Sequence, residues 1–265
     1  MAAAAFARPF SEFVPRAVRG VLTDIDDTLT TAGAITPDAL QALVDLKAAG
    51  LPVIAITGRP MGWSEPFARV WPLDAIVAEN GAVALFRSGD GLDIEFAQDE
   101  ATRRANAQRL AYVAARIQRE VPGATLARDS AGRVTDIAID HAEFAQLPPA
   151  QTDQVVALMR QEGMTATVSS IHINGWFGTH DKLSGARWIV QRLLGRDLDA
   201  ERAHWVCVGD STNDQLMFGH FAHSIGVANL MDFAAGLTVW PRFITQQSRG
   251  AGFAEVAAAL LRSRT

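Results

Sequence analysis

Asp24, Asp26 and Asp27 put three carboxylates within four positions of the stretch RGVLTDIDDTLT, directly behind the apolar pair Val21 and Leu22. Carboxylates this close repel one another, so the cluster costs stability unless a cation or a proton offsets it. Three other polar groupings have the same kind of placement. ITGRP sets Thr57 and the backbone of Gly58 and Arg59 behind an apolar run, Lys182 stands at the head of a helical pattern, and GDSTND places Asp210 at the end of WVCVG with Asn213 and Asp214 just beyond. Taken singly, each has a plain structural reading: an Asp-rich turn, a Thr-Gly turn, a solvated lysine, a capped helix start. Lys182 gains weight from composition, because Lys47 and Lys182 are the only lysines among 24 Lys plus Arg. Lys47 suits the last turn of a helix, where a cation complements the dipole. A lysine kept where arginine serves nearly everywhere else points to a need for a compact point charge.

Taken together, the four groupings describe phosphoryl transfer. A carboxylate can attack phosphorus and form an aspartyl phosphate. Magnesium suits such a site, since it is bound by few carboxylates plus phosphate and water oxygens, and it would offset the charge gathered at Asp24–Asp27. Lysine, hydroxyl and backbone donors then hold the transferring group, because positioning and charge stabilisation supply most of the catalysis.

The elements that must position these residues alternate between strand-like and helix-like stretches, the pattern of a parallel sheet with crossover helices. VRGVLTD reads as a buried strand ending at Asp24, LPVIAITG as one ending at Thr57, and WVCVGD as one ending at Asp210. In open α/β sheets the carboxyl edge is where ligands bind. TPDALQALVDLKAAG reads as a helix with Thr36 as N-cap, Pro37 in the first turn, Leu40, Leu43 and Val44 on one face, and Gly50 as the stop.

Residues 98–177 differ in character: a long Arg-rich helix, a strand at RVTDIAID, a helix at AQTDQVVALMRQEG and a strand pair around TATVSSIHING, with VPG and LPPA as breaks. The expected architecture is therefore an α/β Rossmann-like core, residues 1–97 and 178–265, carrying an inserted α+β unit. At 265 residues the chain is long enough for both.

Composition narrows the classes. With 49% hydrophobic and 20% charged residues and a net charge of -5, the chain has the makeup of a soluble globular protein and gives no sign of a nucleic-acid or anionic-membrane partner. A single cysteine, Cys207, rules out an internal disulfide framework and fits a reducing cytoplasm; within the apolar WVCVG it reads as a small core hydrophobe. No apolar run is long enough to span a bilayer. The start MAAAAFARPF lacks the basic residue of a signal peptide and is expected to be a ragged terminus. His220 and His223 lack a third ligand, so no histidine metal site is expected.

The order and spacing of DIDDTLT, ITGR, a lysine before a helix and GDSTND resemble the haloacid dehalogenase (HAD) superfamily, and IVAENGAVAL is similar to a stretch of its Cof-like (IIB) branch. The resemblance implies Asp24 as nucleophile and Asp26 as general acid/base, with Thr57 and Lys182 binding the phosphoryl group. It implies Mg2+ held by Asp24, the main-chain carbonyl of Asp26, and Asp210, with Asn213 and Asp214 supporting the phosphate, the lysine or the metal's water shell. The common family form has glycine where this chain has Asp27, whose role is left open. The insert, placed after ENGAVALF and before Lys182, resembles the cap of sugar-phosphate phosphatases such as the sucrose-phosphate and trehalose-phosphate enzymes.

The expectation is a phosphatase acting on a small phosphate ester, with a sugar phosphate the foremost class, as a cytoplasmic monomer or small homo-oligomer. His172, Asn174 and Trp176 are the cap residues expected to touch the leaving group, each with a structural role as the alternative. A phosphomutase would need a second phosphate site from Arg103, Arg104 or Arg109. A phospho-receiver domain would lack the insert and carry its aspartate on a later strand.

Overall fold

The computed structural model describes residues 7–263. In chain order the first part contains β1 (Arg8–Pro9), β2 (Gly20–Thr23), a small hairpin of β3 (Thr30–Thr31) and β4 (Ala34–Ile35), α1 (Pro37–Ala48), β5 (Val53–Ile56), α2 (Met61–Val70), β6 (Ala75–Ala78), β7 (Val83–Ser88) and β8 (Gly91–Phe96). The middle holds α3 (Glu100–Glu120), β9 (Thr125–Leu126), β10 (Asp136–Asp140), α4 (Pro149–Gln161), β11 (Thr165–Val168) and β12 (His172–Trp176). The last part has α5 (Lys182–Leu194), β13 (Trp205–Gly209), α6 (Gln215–His220), β14 (His223–Gly226), β15 (Phe243–Ile244) and α7 (Arg249–Arg262).

A nine-stranded sheet in the order β1-β15-β14-β13-β2-β5-β6-β7-β8 organises the first and last parts. Pairing is parallel from β1 through β6, and β7 and β8 add an antiparallel edge. The central strands are unbroken apolar runs because both of their faces are covered. Val21, Val53 and Val206 face α1, α2 and α7, while Leu22, Ile54 and Cys207 face α5 and α6. The fold is thus α/β with a doubly covered, mostly parallel sheet.

Two local expectations change. In α1 the buried stripe is Ala39, Ala42, Leu43 and Leu46, whereas Leu40 and Val44 are exposed. Close approach of α7 selects small residues: a Cβ on Gly250 would meet Thr36 Oγ1 at 2.1 Å and the Ala39 Cβ at 3.3 Å. Thr36 occupies the N-cap position, but its hydroxyl makes no capping bond. The second change is at the start of the chain. Residues 1–6 of the expected ragged terminus lie outside the described residues, but Arg8–Pro9 pairs with β15 and the rings of Phe10 and Phe13 are buried in the core, Phe13 packed edge-on against Phe243.

A separate four-stranded antiparallel sheet, β11-β12-β10-β9, carries α3 and α4 on one face around its own apolar cluster of Leu110, Ile117, Ile137, Val155 and Ile173. Because side chains alternate along a strand, its other face presents Asp136, His172 and Asn174. β10 begins at Asp136, later than RVTDIAID suggests, because the preceding residues join the main sheet's loops instead. The fully buried carboxylate of Glu79 accepts the N–H of Met61 at 3.0 Å on one side and those of Val134 and Thr135 at 3.1 and 2.6 Å on the other. At the same seam Gly62 and Gly132 meet backbone to backbone, where a Cβ on Gly62 would lie 2.9 Å from the Gly132 Cα.

Candidate active site

The carboxyl ends of three adjacent strands, β13, β2 and β5, bring the candidate residues together. Asp24 follows β2, Thr57 follows β5 and Asp210 follows β13, while Asn213 and Asp214 lie in the 3-10 turn ahead of α6. Lys182 is the first residue of α5, whose start is fixed by a capping box: the Asp181 carboxylate accepts the Ser184 N–H at 2.7 Å, and the Asp181 N–H donates to the Ser184 hydroxyl at 2.8 Å. Both elements of this cap hold the lysine's backbone at one height above the sheet.

The Lys182 ammonium donates to Asp24 Oδ1 and to Asp214 Oδ1, each at 2.8 Å. Burial alone would push the lysine down, but Asp214 and Asp24 more than offset it and hold it above the ordinary lysine range. The other oxygen of Asp214 accepts the N–H of Asp210 at 3.0 Å and of Ser211 at 3.3 Å. Asp210 is fully buried; Thr28 approaches its Oδ1 at 3.5 Å, and its Oδ2 has no hydrogen-bond partner among the described residues. Burial pushes the Asp24 carboxyl up to about 7 despite Lys182, and burial together with Asp24 and Asp214 drives Asp210 well above the usual carboxylate range. Ligand oxygens of Asp24, Asp210 and Asp214 lie within 4.8 Å of one another. This is a set of carboxylates short of positive charge.

Asp26 is buried beside Asp24, but its carboxylate is not free. The Arg59 guanidinium grips it, with Nε 3.0 Å from both oxygens and Nη2 2.8 Å from Oδ1. Arg59 reaches the second sheet's loops as well, donating to Asp129 at 3.2 Å and to Glu143 at 2.7 Å. Glu143 in turn meets His172 Nε2 at 2.9 Å. Burial would raise the Glu143 carboxyl, yet His172 and Arg59 bring it down to about 2. Thr57 keeps its hydroxyl at the strand end, accepting the Arg59 N–H at 3.0 Å, and Gly58 offers its carbonyl to Arg133 at 3.0 Å and to Asn174 at 3.3 Å. A cavity of about 10 Å³ is enclosed by Asp24, Asp26, Thr57, Gly58, Arg59 and Asn213 below and Ser169, Ile171, His172 and Asn174 above.

Of the residues expected to meet the leaving group, His172 and Asn174 border this space, whereas Trp176 is buried, donates to the His180 carbonyl at 2.9 Å and stacks on that histidine. The arginines considered for a second phosphate site are engaged elsewhere: Arg103 lies over Phe96, Arg109 over Phe177, and Arg104 pairs with the exposed Glu100. Asp27 pairs with Arg249 at 2.7 Å, and its charge still bears on Asp210. The Asp27 φ of +53° is the left-handed conformation for which glycine is the usual choice and which Asp tolerates. Glu79, Asp129, Arg133, Asp136 and Glu143 were not singled out by sequence; only Glu79 had a signal, in the ENG of IVAENGAVAL. Asp136, buried against Arg133 at 2.9 Å, is pushed up by burial to about 7 in spite of that arginine.

Residues 21–108 match the family model of haloacid dehalogenase-like hydrolases. No curated protein matches the chain in sequence. Among solved structures, a Thermoplasma acidophilum protein superposes with a TM-score of 0.71 at 16% identity, over 92% of this chain and 99% of that one. The sucrose-phosphatase of Synechocystis, solved with sucrose and phosphate, gives 0.64 at 16% identity over 92% and 98%. A trehalose-6-phosphate phosphatase related protein gives 0.59 at 15% identity over 91% and 96%. The family match covers the segment that carries Asp24, and the solved structures share the fold. No helix among the described residues is long and apolar enough to cross a membrane.

Proposed function

We propose that the protein is a magnesium-dependent phosphatase that hydrolyses a small phosphorylated metabolite, a sugar phosphate foremost, through an aspartyl phosphate on Asp24. The reading is carried chiefly by one observation: Asp24 lies 2.8 Å from a buried lysine and beside a fully buried Asp210, one oxygen of which has no partner among the described residues. The phosphatase neighbours support it at the level of fold.

The donor set fits a divalent cation. Asp24, the Asp26 carbonyl and Asp210 would hold it, whereas both oxygens of Asp214 are already occupied by Lys182 and by backbone N–H groups. Bound there, it would supply the positive charge that keeps Asp24 and Asp210 ionised and would offset the charge of the phosphate.

In this reading the Asp24 carboxylate forms a bond to phosphorus as the bond to the leaving oxygen breaks, and Asp26 delivers a proton to that oxygen. Water, giving its proton back to Asp26, then attacks phosphorus and frees Asp24 and inorganic phosphate. Lys182 fixes Asp24 and bears on the phosphoryl charge, and the Thr57 hydroxyl, oriented by the Arg59 N–H it accepts, donates to its oxygens together with the backbone N–H of Gly58. For its proton transfers Asp26 must exchange part of its Arg59 pairing for the substrate. We assign residues 1–97 and 178–265 to the catalytic core and residues 98–177 to a cap. The cavity above Asp24 is only about 10 Å³, so opening of the cap would ease entry of a phosphoryl group.

Rapid acid quench followed by intact-mass measurement and peptide mapping tests the mechanism. Asp24→Asn is expected to abolish the phosphoenzyme, and Asp26→Asn to form it slowly and hydrolyse it poorly. An adduct on another residue, or turnover intact in Asp24→Asn, would overturn the covalent route.

A further inference from the structure

Next to the enclosed site lies a larger cavity of about 420 Å³, walled by Asp26, Asp27, Arg59, Arg249 and residues 30–33 on one side and by residues 142–144 and Ile171 on the other. It adjoins Asp26, where the leaving oxygen would be protonated. One wall is built with unusual backbone. Asp27 and Arg249 both have left-handed φ, +53° and +55°. Their side chains meet at 2.7 Å, Arg249 Nε donating to Asp27 Oδ1. Asn229 closes the ring: its amide donates to the Asp27 carbonyl at 3.0 Å and its oxygen accepts the Arg249 N–H at 2.8 Å. Two non-glycine residues in this conformation persist only where the surroundings over-determine them.

The ring leaves chemistry unused. Neither amino nitrogen of Arg249 and not Asp27 Oδ2 makes a hydrogen bond among the described residues, although both residues line the cavity. A fixed acceptor beside fixed donors matches a hydroxyl, which both donates and accepts. The titratable lining residues are three carboxylates, Asp26, Asp27 and Glu143, against two guanidiniums, Arg59 and Arg249, so a second anion is disfavoured. Opposite stands Phe144, 56% exposed, with the Arg128 guanidinium over one face of its ring at 3.8 Å. An aromatic face of this kind suits the C–H face of a ring.

We propose that the Asp27–Arg249 pair is a specificity-determining element that reads hydroxyls of an uncharged polyhydroxylated leaving group, with Phe144 packing on its less polar face. This rests on the phosphatase reading. It gives Asp27 a role that the glycine of the common family form cannot fill.

The test compares kcat/KM for glucose 6-phosphate, mannose 6-phosphate and glycerol 1-phosphate with that for acetyl phosphate, whose leaving group has no hydroxyl to read. In wild type the best polyol phosphate is expected to lead. The polyol-to-acetyl ratio should fall about tenfold or more in Arg249→Met and in Asp27→Gly, because charged groups left unpaired discriminate strongly. Asp27→Gly keeps the backbone conformation and covers the case in which Arg249→Met fails to fold. A ratio held within twofold in the folded variants, or acetyl phosphate preferred by wild type, would overturn the assignment while leaving phosphatase activity standing. No turnover of any ester would instead remove the phosphatase reading and this inference with it.

Discussion

The Lys182 side chain is 3% exposed and its ammonium lies between two carboxylates, with a third, Asp210, close by. Removing it leaves Asp24 and Asp214 buried without their cation. Lys182→Ala is expected to lower kcat/KM by ~10²-fold or more, read from free-phosphate release; a near-normal rate would reduce the lysine to packing. Lys182→Arg is not expected to rescue it, since the space beside the ammonium is about 10 Å³. A second residue-scale prediction concerns Asp136, whose folded carboxyl is raised to about 7 from 3.8. A raised carboxyl contributes stability below about 4 that is lost as pH rises through about 7. The melting temperature of Asp136→Asn minus that of wild type should therefore climb between pH 4 and pH 7.5. A flat difference would mean that Arg133 keeps Asp136 ionised across that range.

At the scale of elements, the stretch ENG between β6 and β7 links strand, helix and second sheet. Glu79 accepts from Met61, Val134 and Thr135, while Gly81, at φ +106°, lets the chain pass under the start of α5, where a Cβ would come 2.1 Å from the Asp181 carbonyl. Gly81→Ala should destabilise the protein by about 2 kcal/mol or more and, by tilting the capped end of α5, depress kcat through Lys182. Denaturant melts alongside single-turnover rates check both; an unchanged rate in a destabilised but folded variant would uncouple the turn from the lysine. The Arg59 bridge from Asp26 to Asp129 and Glu143 is another link between the two sheets. It ties the residue proposed as acid to the residues proposed as cap.

For the molecule as a whole, the deficit of positive charge at the centre of the large sheet bears on global stability. A cation that binds only the folded chain stabilises it by mass action. Magnesium chloride added to chelator-treated protein is expected to raise the melting temperature of wild type, and Asp210→Ala to lose that rise while staying folded. An equal rise in the variant would remove Asp210 from the metal set.

The sequence by itself determined what is local and repetitive. Unbroken apolar runs at GVL, PVIAI and WVCVG require strands covered on both faces, and polar residues directly behind such runs can only emerge at one sheet edge. Asp24, Asp26, Thr57, Asp210, Asn213 and Asp214 were legible for that reason, and Lys182 because lysine is rare here. Only the tertiary structure decided contacts that depend on how one element seats on another. The Arg59 grip on Asp26, the Asp27–Arg249 ring across 222 positions and the Glu79 seam have no period and no local signature. The buried face of α1 was set by the approach of α7, and the edge strand at Arg8–Pro9 by its pairing with β15. His172, Asn174 and Trp176 share one face of β12, yet the first two border the site and the third packs on His180, because where a strand's face ends is fixed by the neighbour it meets.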